Sequence, residues 1–145
     1  MREDSKIWFE EASWNFKNAE ILLKNARYST AVFQAHQASE KAVKSLLFSK
    51  NINGWGHSIS NLLKKYKELT NRKIKSIMGD ALKLDKHYIS TRYPDSLPGI
   101  APHKAYTKEE AKNAIRQAKM IMNFVKEEIS YLRKSKIKDE NEKGG

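Results

Sequence analysis

The chain has no cysteine. Disulfides, thiolate metal sites and a cysteine nucleophile are excluded together. Proline is scarce, and Pro94, Pro98 and Pro102 all fall in one short segment. No run approaches the roughly 20 apolar residues of a membrane span. No signal peptide is visible either, because Trp8 and Phe9 are followed at once by Glu10 and Glu11. The phosphate-cradling loops G-x-x-x-x-G-K-[ST] and G-x-G-x-x-G, the G-x-S-x-G nucleophile turn and the zinc-protease patterns are all missing. His36, His57, His87 and His103 lie far apart, and none pairs with another at i+3 or i+4. No metal site and no cofactor are therefore expected. Together these absences point to a soluble, cytoplasmic protein without a membrane partner.

At 145 residues the chain suits one domain with a real core. Helical periodicity dominates, and no strand-type alternation competes with it. A first helix, capped by Asp4 or Ser5, should reach about Ala26, with Trp8, Ala12, Ala19, Leu22 and Leu23 inward and Asn15 interrupting that stripe. Trp14 falls off the line and is expected at the core edge. Ser29 or Thr30 should cap a second helix ending near Lys50, where Asn51-Ile52-Asn53-Gly54-Trp55-Gly56 breaks it. Trp55 is expected to plug the core. A third helix follows His57, with Ile59, Leu62, Leu63, Tyr66 and Leu69 on one side. At its start, His57 should be a neutral imidazole accepting a hydrogen bond. A fourth helix should run from Ile74 to about Thr91, because Tyr93 precedes Pro94 and is pushed toward extended backbone.

The segment from Arg92 to about Tyr106 carries all the prolines and should form a stiff, ordered loop. Thr107 and Glu110 then make a capping box, and Ala111 to Leu132 follow at helical spacing. The expectation is all-α: an up-and-down bundle of four long helices and one short one over residues 4–132. Residues 133–145 would form a charged, flexible tail.

The charge is uneven. Of the net +11, residues 41–86 hold +8, with eleven Lys/Arg against three Asp/Glu. Such a sector attracts polyanions, and binding through it weakens with salt. Overlapping its start lies the most patterned stretch of the chain. Ala31, Ala35, Ala38 and Ala42 form a narrow small-residue stripe that allows close approach of a neighbouring helix, or of a second copy. Gln37, Glu40, Lys41 and Lys44 run beside it at the same spacing. One helix thus presents an amide, a carboxylate and two ammonium groups in a single band.

Gln37-Ala38-Ser39-Glu40-Lys41 with Lys44, His57 opening the next helix, Arg92-Tyr93-Pro94-Asp95, and Tyr106-Thr107-x-Glu109-Glu110-Ala111 together resemble the HEPN domain (higher eukaryotes and prokaryotes nucleotide-binding). The resemblance spans about Ile7 to Ile129. It implies a helical bundle, often a homodimer, that binds nucleotides or RNA and frequently pairs with a small nucleotidyltransferase in toxin–antitoxin-like systems. Ribonuclease members carry an Arg, four to six residues, then a His. Here Arg27 precedes His36, and Arg92 precedes His103, by too many residues, and His87 and Arg92 stand in reverse order.

These readings converge on a binding module rather than an enzyme. Lys41, Lys44 and Arg92 would hold phosphate. Gln37 would read a base edge or a ribose hydroxyl, and His57 and Tyr93 would shape the cleft, Tyr93 by stacking. Glu40 and Asp95 would orient the cations through pairs such as Arg92–Glu40. Two alternatives stay open: a metal-independent ribonuclease of a toxin–antitoxin pair, using groups such as His36, His57, Lys44 and Arg92, and a pure protein-interaction subunit.

Overall fold

A computed structural model describes residues 3–144, apart from the Lys143 side chain. Among these residues there are seven helices and no strand: α1 (Glu3–Lys24), α2 (Tyr28–Ser49), α3 (Ile59–Thr70), α4 (Lys75–Asp85), α5 (His87–Arg92), α6 (Pro102–Ala105) and α7 (Lys108–Gly144). The all-α bundle is as expected. Among the described residues, no helix is long and apolar enough to cross a membrane.

The centre of the bundle is α2, which touches α1, α3, α5, α6 and α7. Ala31, Ala35, Ala38 and Ala42 are fully buried, so the small-residue stripe is closed within one chain and is not open to a second copy. Val43, Leu46, Leu47, Ile59, Leu63, Tyr66, Leu84, Ile121 and Val125 supply the bulk around it. Burying each such side chain contributes about 1.5–3 kcal/mol.

Several boundaries differ from expectation. Asp4 and Ser5 lie inside α1, and buried Ser5 donates to the Ser45 carbonyl at 2.6 Å. Arg27, not Ser29 or Thr30, precedes α2, without a side-chain cap. The α1–α2 connection is set by the end of α1 instead. Arg27 N–H donates to Leu22 O and Ala26 N–H to Leu23 O, with Ala26 left-handed at φ 57°. Asn51 closes α2 in the same way, with Ile52 bonded back to Leu47. Asparagine tolerates that conformation, whereas alanine sits there at a cost of about 1–2 kcal/mol. Ala26→Gly is therefore expected to stabilise the protein by about 0.5–1 kcal/mol in urea unfolding; no gain would contradict the strained cap.

The fourth helix is interrupted at Lys86, which lets α5 turn onto α2. The proline segment contains the short α6, with Pro102 in its first turn. The capping box forms as read: Thr107 N–H donates to Glu110 Oε1 and Glu110 N–H to Thr107 Oγ1, each at 3.1 Å. The final helix does not stop at Leu132 but continues through the charged residues to Gly144, while Gly145 lies outside the described residues. Lys and Glu are good helix formers, so propensity favours the helix where no apolar stripe is left to bury. Ile137 stays exposed there.

Candidate functional site

Glu40 is the buried pivot of the α2 band, only 4 % exposed. One carboxylate oxygen pairs with the Lys44 ammonium at 3.2 Å, and the other accepts from His57 Nδ1 at 3.1 Å. His57 is thus a donor, not the acceptor expected at a helix start. The reason is that the α3 terminus is occupied from elsewhere. Asp85, at the end of α4, accepts from Ile59 N–H at 2.7 Å and Ser60 N–H at 3.1 Å, and from the Ser58 and Ser60 hydroxyls at 3.0 and 2.6 Å. Ser58 is the N-cap and bonds Asn61 N–H at 3.2 Å. His57, one residue outside, is left to face Glu40.

The His57 ring stacks on Tyr88 of α5, with centroids 4.8 Å apart and planes 16° apart. Tyr88 in turn accepts a hydrogen bond from the Arg92 guanidinium at 2.6 Å, whose Cζ lies 5.2 Å from the tyrosine ring centroid and 5.9 Å from that of Tyr93. Tyr88 and Arg92 are one turn apart on a helix, so their meeting follows from i,i+4 spacing. The series Lys44–Glu40–His57–Tyr88–Arg92 joins α2, the α2–α3 loop and α5. Burial is the main effect pushing the Tyr88 hydroxyl pKa up, with Arg92 opposing it.

Not every sequence-selected residue joins this series. Lys41 is drawn to α1, where its ammonium donates to Asn15 Oδ1 at 2.9 Å. Asn15 also bonds Gln34 at 2.8 Å, which is why a polar residue interrupts the first helix's stripe. Gln37 Nε2 donates to His36 Nδ1 at 3.3 Å, placing the ring proton on His36 Nε2, a buried atom without a hydrogen-bond partner. Burial holds the His36 pKa below its ordinary value. Lys44 is almost buried and lies 5.7 Å from the Trp8 ring centroid. Its stem is covered by Gly54, where an added Cβ would sit 3.1 Å from Lys44 Cγ. Among the described residues, the expected Arg92–Glu40 and Lys–Asp95 pairs do not form. Arg92 is oriented by Tyr88 and Glu40 is saturated by Lys44 and His57. The proline segment is instead pinned at its end by Tyr106, whose hydroxyl meets His87 Nδ1 at 2.9 Å and the Ser90 hydroxyl.

Two tryptophans correct the sequence reading. Trp55 is 83 % exposed and plugs nothing, and Trp14 is likewise exposed. Trp55 stands two residues before His57 in the chain, and Tyr93, next to Arg92, is exposed as well. Nothing in the sequence pattern marks Tyr88 as the link, since its position matches a buried helix face. A separate recess of about 190 Å³ lies between α4, the start of α5 and α7, lined by Lys83, Lys86, His87, Glu110, Asn113 and Gln117. It contains none of the binding residues selected from the sequence. Among the described residues no group of three His, Cys, Asp or Glu is placed to hold a metal.

The HEPN domain family model matches residues 5–129. The protein named "Putative toxin MJ1304" from Methanocaldococcus jannaschii is 26 % identical over 131 residues, covering 85 % of this chain and 86 % of that protein. Among solved structures, TT1696 from Thermus thermophilus superposes with a TM-score of 0.83 at 36 % identity, covering 88 % of this chain and 99 % of that one. ST0689, described as an archaeal HEPN homologue, gives 0.73 at 36 % identity, with 89 % and 99 % covered. The HEPN domain protein TM0613 of Thermotoga maritima gives 0.68 at 28 % identity, with 85 % and 97 % covered.

Proposed function

The chain belongs to the HEPN domain family, and from that premise we propose that it is a nucleotide- or RNA-binding module whose phosphate contacts lie between α2 and the Arg92–Asp95 segment. The observation that carries this reading is the meeting of His57 and Arg92 on one tyrosine. It holds an exposed guanidinium in a defined orientation beside exposed aromatic surface. Arg92 makes the phosphate contact, as a planar cation suited to bidentate recognition. Trp55 and Tyr93 offer faces on which bases stack. Glu40 and Lys44, both buried, fix His57. In this reading Gln37 and Lys41 on α2 and Asp95 on the loop would border the bound phosphate.

The family also supports a homodimer and a small nucleotidyltransferase as partner. The name of the M. jannaschii relative favours a second reading, the toxin of a pair; its chemistry would be that of a metal-independent ribonuclease. Co-purification from the native cell tests the partner, and cleavage of a broad RNA set without metal tests the ribonuclease.

Binding is tested by fluorescence anisotropy with short single-stranded RNA, and by calorimetry with ATP, each at two salt concentrations. Arg92→Ala is expected to weaken binding about tenfold and to reduce the salt slope by about one. Its circular dichroism should be unchanged, because Arg92 is exposed. Undiminished affinity with an unchanged salt slope would end the proposal.

A further inference from the structure

The recess between α4, the start of α5 and α7 has a cause in the fold. Helix α4 packs along α7, but after the break at Lys86 the chain turns as α5 toward α2 and α6. A wedge opens where α5 leaves the line of α4. Ala114 on α7 lines it with only a methyl group, and a space of about 190 Å³ stays unfilled.

The lining is graded by polarity. Lys83, Lys86 and Glu110 are exposed, His87 and Asn113 are half-buried, and Gln117 is only 6 % exposed. Neither lysine makes an ion pair among the described residues. Two ammonium groups against one carboxylate give the mouth a net positive charge. One oxygen of Glu110 is engaged by the Thr107 N–H and hydroxyl, both at 3.1 Å, which leaves the other as a free acceptor. His87 has its Nδ1 taken by the Tyr106 hydroxyl at 2.9 Å, so Nε2 is the ring nitrogen left for a further partner. Asn113 Oδ1 accepts from Arg116 at 3.2 Å, which leaves its N–H groups as donors. Gln117 Oε1 is a buried oxygen with no hydrogen-bond partner. Such an oxygen has lost water without a replacement, an arrangement that few buried acceptors keep. The last torsion of a glutamine is soft, so a donor entering the recess can draw this oxygen to itself.

We propose that the recess binds a small phosphorylated polyol of monosaccharide size, with its phosphate between Lys83 and Lys86 and its hydroxyls on Gln117, Asn113 and Glu110. Two ammonium groups three residues apart suit a compact anion, which they hold as point charges. Hydroxyls match the interior because each both donates and accepts. Gln117 Oε1 and the free Glu110 oxygen call for donors, and the Asn113 N–H groups for an acceptor. Size narrows the class further. The space lies below the roughly 300–1,000 Å³ of drug-sized pockets and little above the roughly 150 Å³ that takes up a benzene. It is too small for a whole nucleotide, and no Phe, Tyr or Trp lines it to stack a base. The site is separate from the Arg92 surface and does not rest on the nucleotide or RNA reading.

Calorimetry of the full chain with ribose 5-phosphate and glucose 6-phosphate tests it, against ribose, inorganic phosphate and AMP. At least one sugar phosphate is expected to bind about tenfold or more tighter than ribose and than inorganic phosphate. The double variant Lys83→Ala/Lys86→Ala should weaken it about thirtyfold, and Gln117→Met about tenfold with inorganic phosphate unaffected. The lysines are exposed, and methionine keeps the volume of the buried glutamine, so both variants should fold, which circular dichroism checks. The side-chain amide resonances of Gln117 and Asn113 should shift on binding while the Trp55 indole N–H stays in place. Arg92→Ala should leave the affinity unchanged, so failure here and failure of the RNA surface are read apart. A sugar phosphate no tighter than inorganic phosphate and indifferent to Gln117→Met would mean an adventitious ion only and overturns the site. AMP binding as tightly as the sugar phosphates overturns the polyol class. No binding of any probe at about 10 mM overturns the proposal altogether.

Discussion

Arg72→Met is expected to destabilise the protein by about 3 kcal/mol, lowering its melting temperature by about 10 °C. Glu128, 7 % exposed, takes both forks of the Arg72 guanidinium at 2.8 and 2.9 Å and the buried Tyr66 hydroxyl at 2.6 Å. The same guanidinium lies 3.8 Å over the Tyr131 ring centroid. Removing Arg72 leaves a buried carboxylate held by one phenol. The cost comes from that uncompensated charge more than from the lost pair itself. Arg72 is about a third exposed, so the effect should fall at the low end of those measured for fully buried pairs. Urea unfolding measures it, and a loss below about 1 kcal/mol would show that the pair is a surface contact in energetic terms.

The same pair predicts a pH dependence. The Arg72 hydrogen bonds, against the opposing effect of burial, hold the Glu128 carboxyl below its ordinary value of 4.5. A carboxyl depressed in the folded state contributes stability that is fully present above its unfolded value. That stability disappears as pH falls through the folded value. The gap between the native protein and Arg72→Met should therefore be constant near neutrality and shrink below about pH 4.5. A gap independent of pH down to about pH 3 would contradict the assignment. Replacing both members by apolar residues should recover much of the loss only if Tyr66→Phe is added, because its hydroxyl is otherwise orphaned in the core.

Asp85→Ala should cost about 2–3 kcal/mol and should also loosen the candidate site. Its carboxylate accepts four hydrogen bonds at the start of α3, two from backbone N–H groups and two from serines. Without it the first turn of α3 keeps only the Ser58 cap. Hydrogen exchange at Ile59 and Ser60 should accelerate more than exchange in α7. His57, adjacent to that turn, should lose its fixed stacking on Tyr88, and under the proposed function RNA affinity should fall with it. Unchanged exchange at those two amides would refute the role of Asp85 as the clamp on α3.

Both predictions concern residues that no sequence pattern singled out for such a role. Asp85 and Ile59 are 26 positions apart, and Arg72 and Glu128 are 56 apart. No local pattern marks either pair, because each depends on which helix ends the bundle brings together. The capping box at Thr107 was readable for the opposite reason: its two members lie three residues apart and contact each other within one turn. The alanine stripe was readable too, since periodicity identifies a face, but its burial inside one chain was not. Trp14 was expected at the core edge and Trp55 as a core plug, but hydrophobicity states a preference and not the presence of a neighbour to satisfy it. Of the residues selected from the sequence, the fold connects Glu40, Lys44, His57 and Arg92 and sets Tyr93 beside Arg92. Gln37 and Lys41 make different contacts, and Asp95 makes no ion pair among the described residues. The sequence put no such weight on Tyr88, the residue through which the first group is joined.

The all-α class, the main helices and the capping box at Thr107 were legible in the chain alone, because propensity, capping and apolar period act over three to seven residues. The interruption at Lys86, the clamp of Asp85 on α3 and the joining of Glu40 to Arg92 through His57 and Tyr88 were decided only in three dimensions. Those features arise when side chains distant in sequence are brought within a few ångströms, and the packing of α2 against its neighbours sets which ones meet.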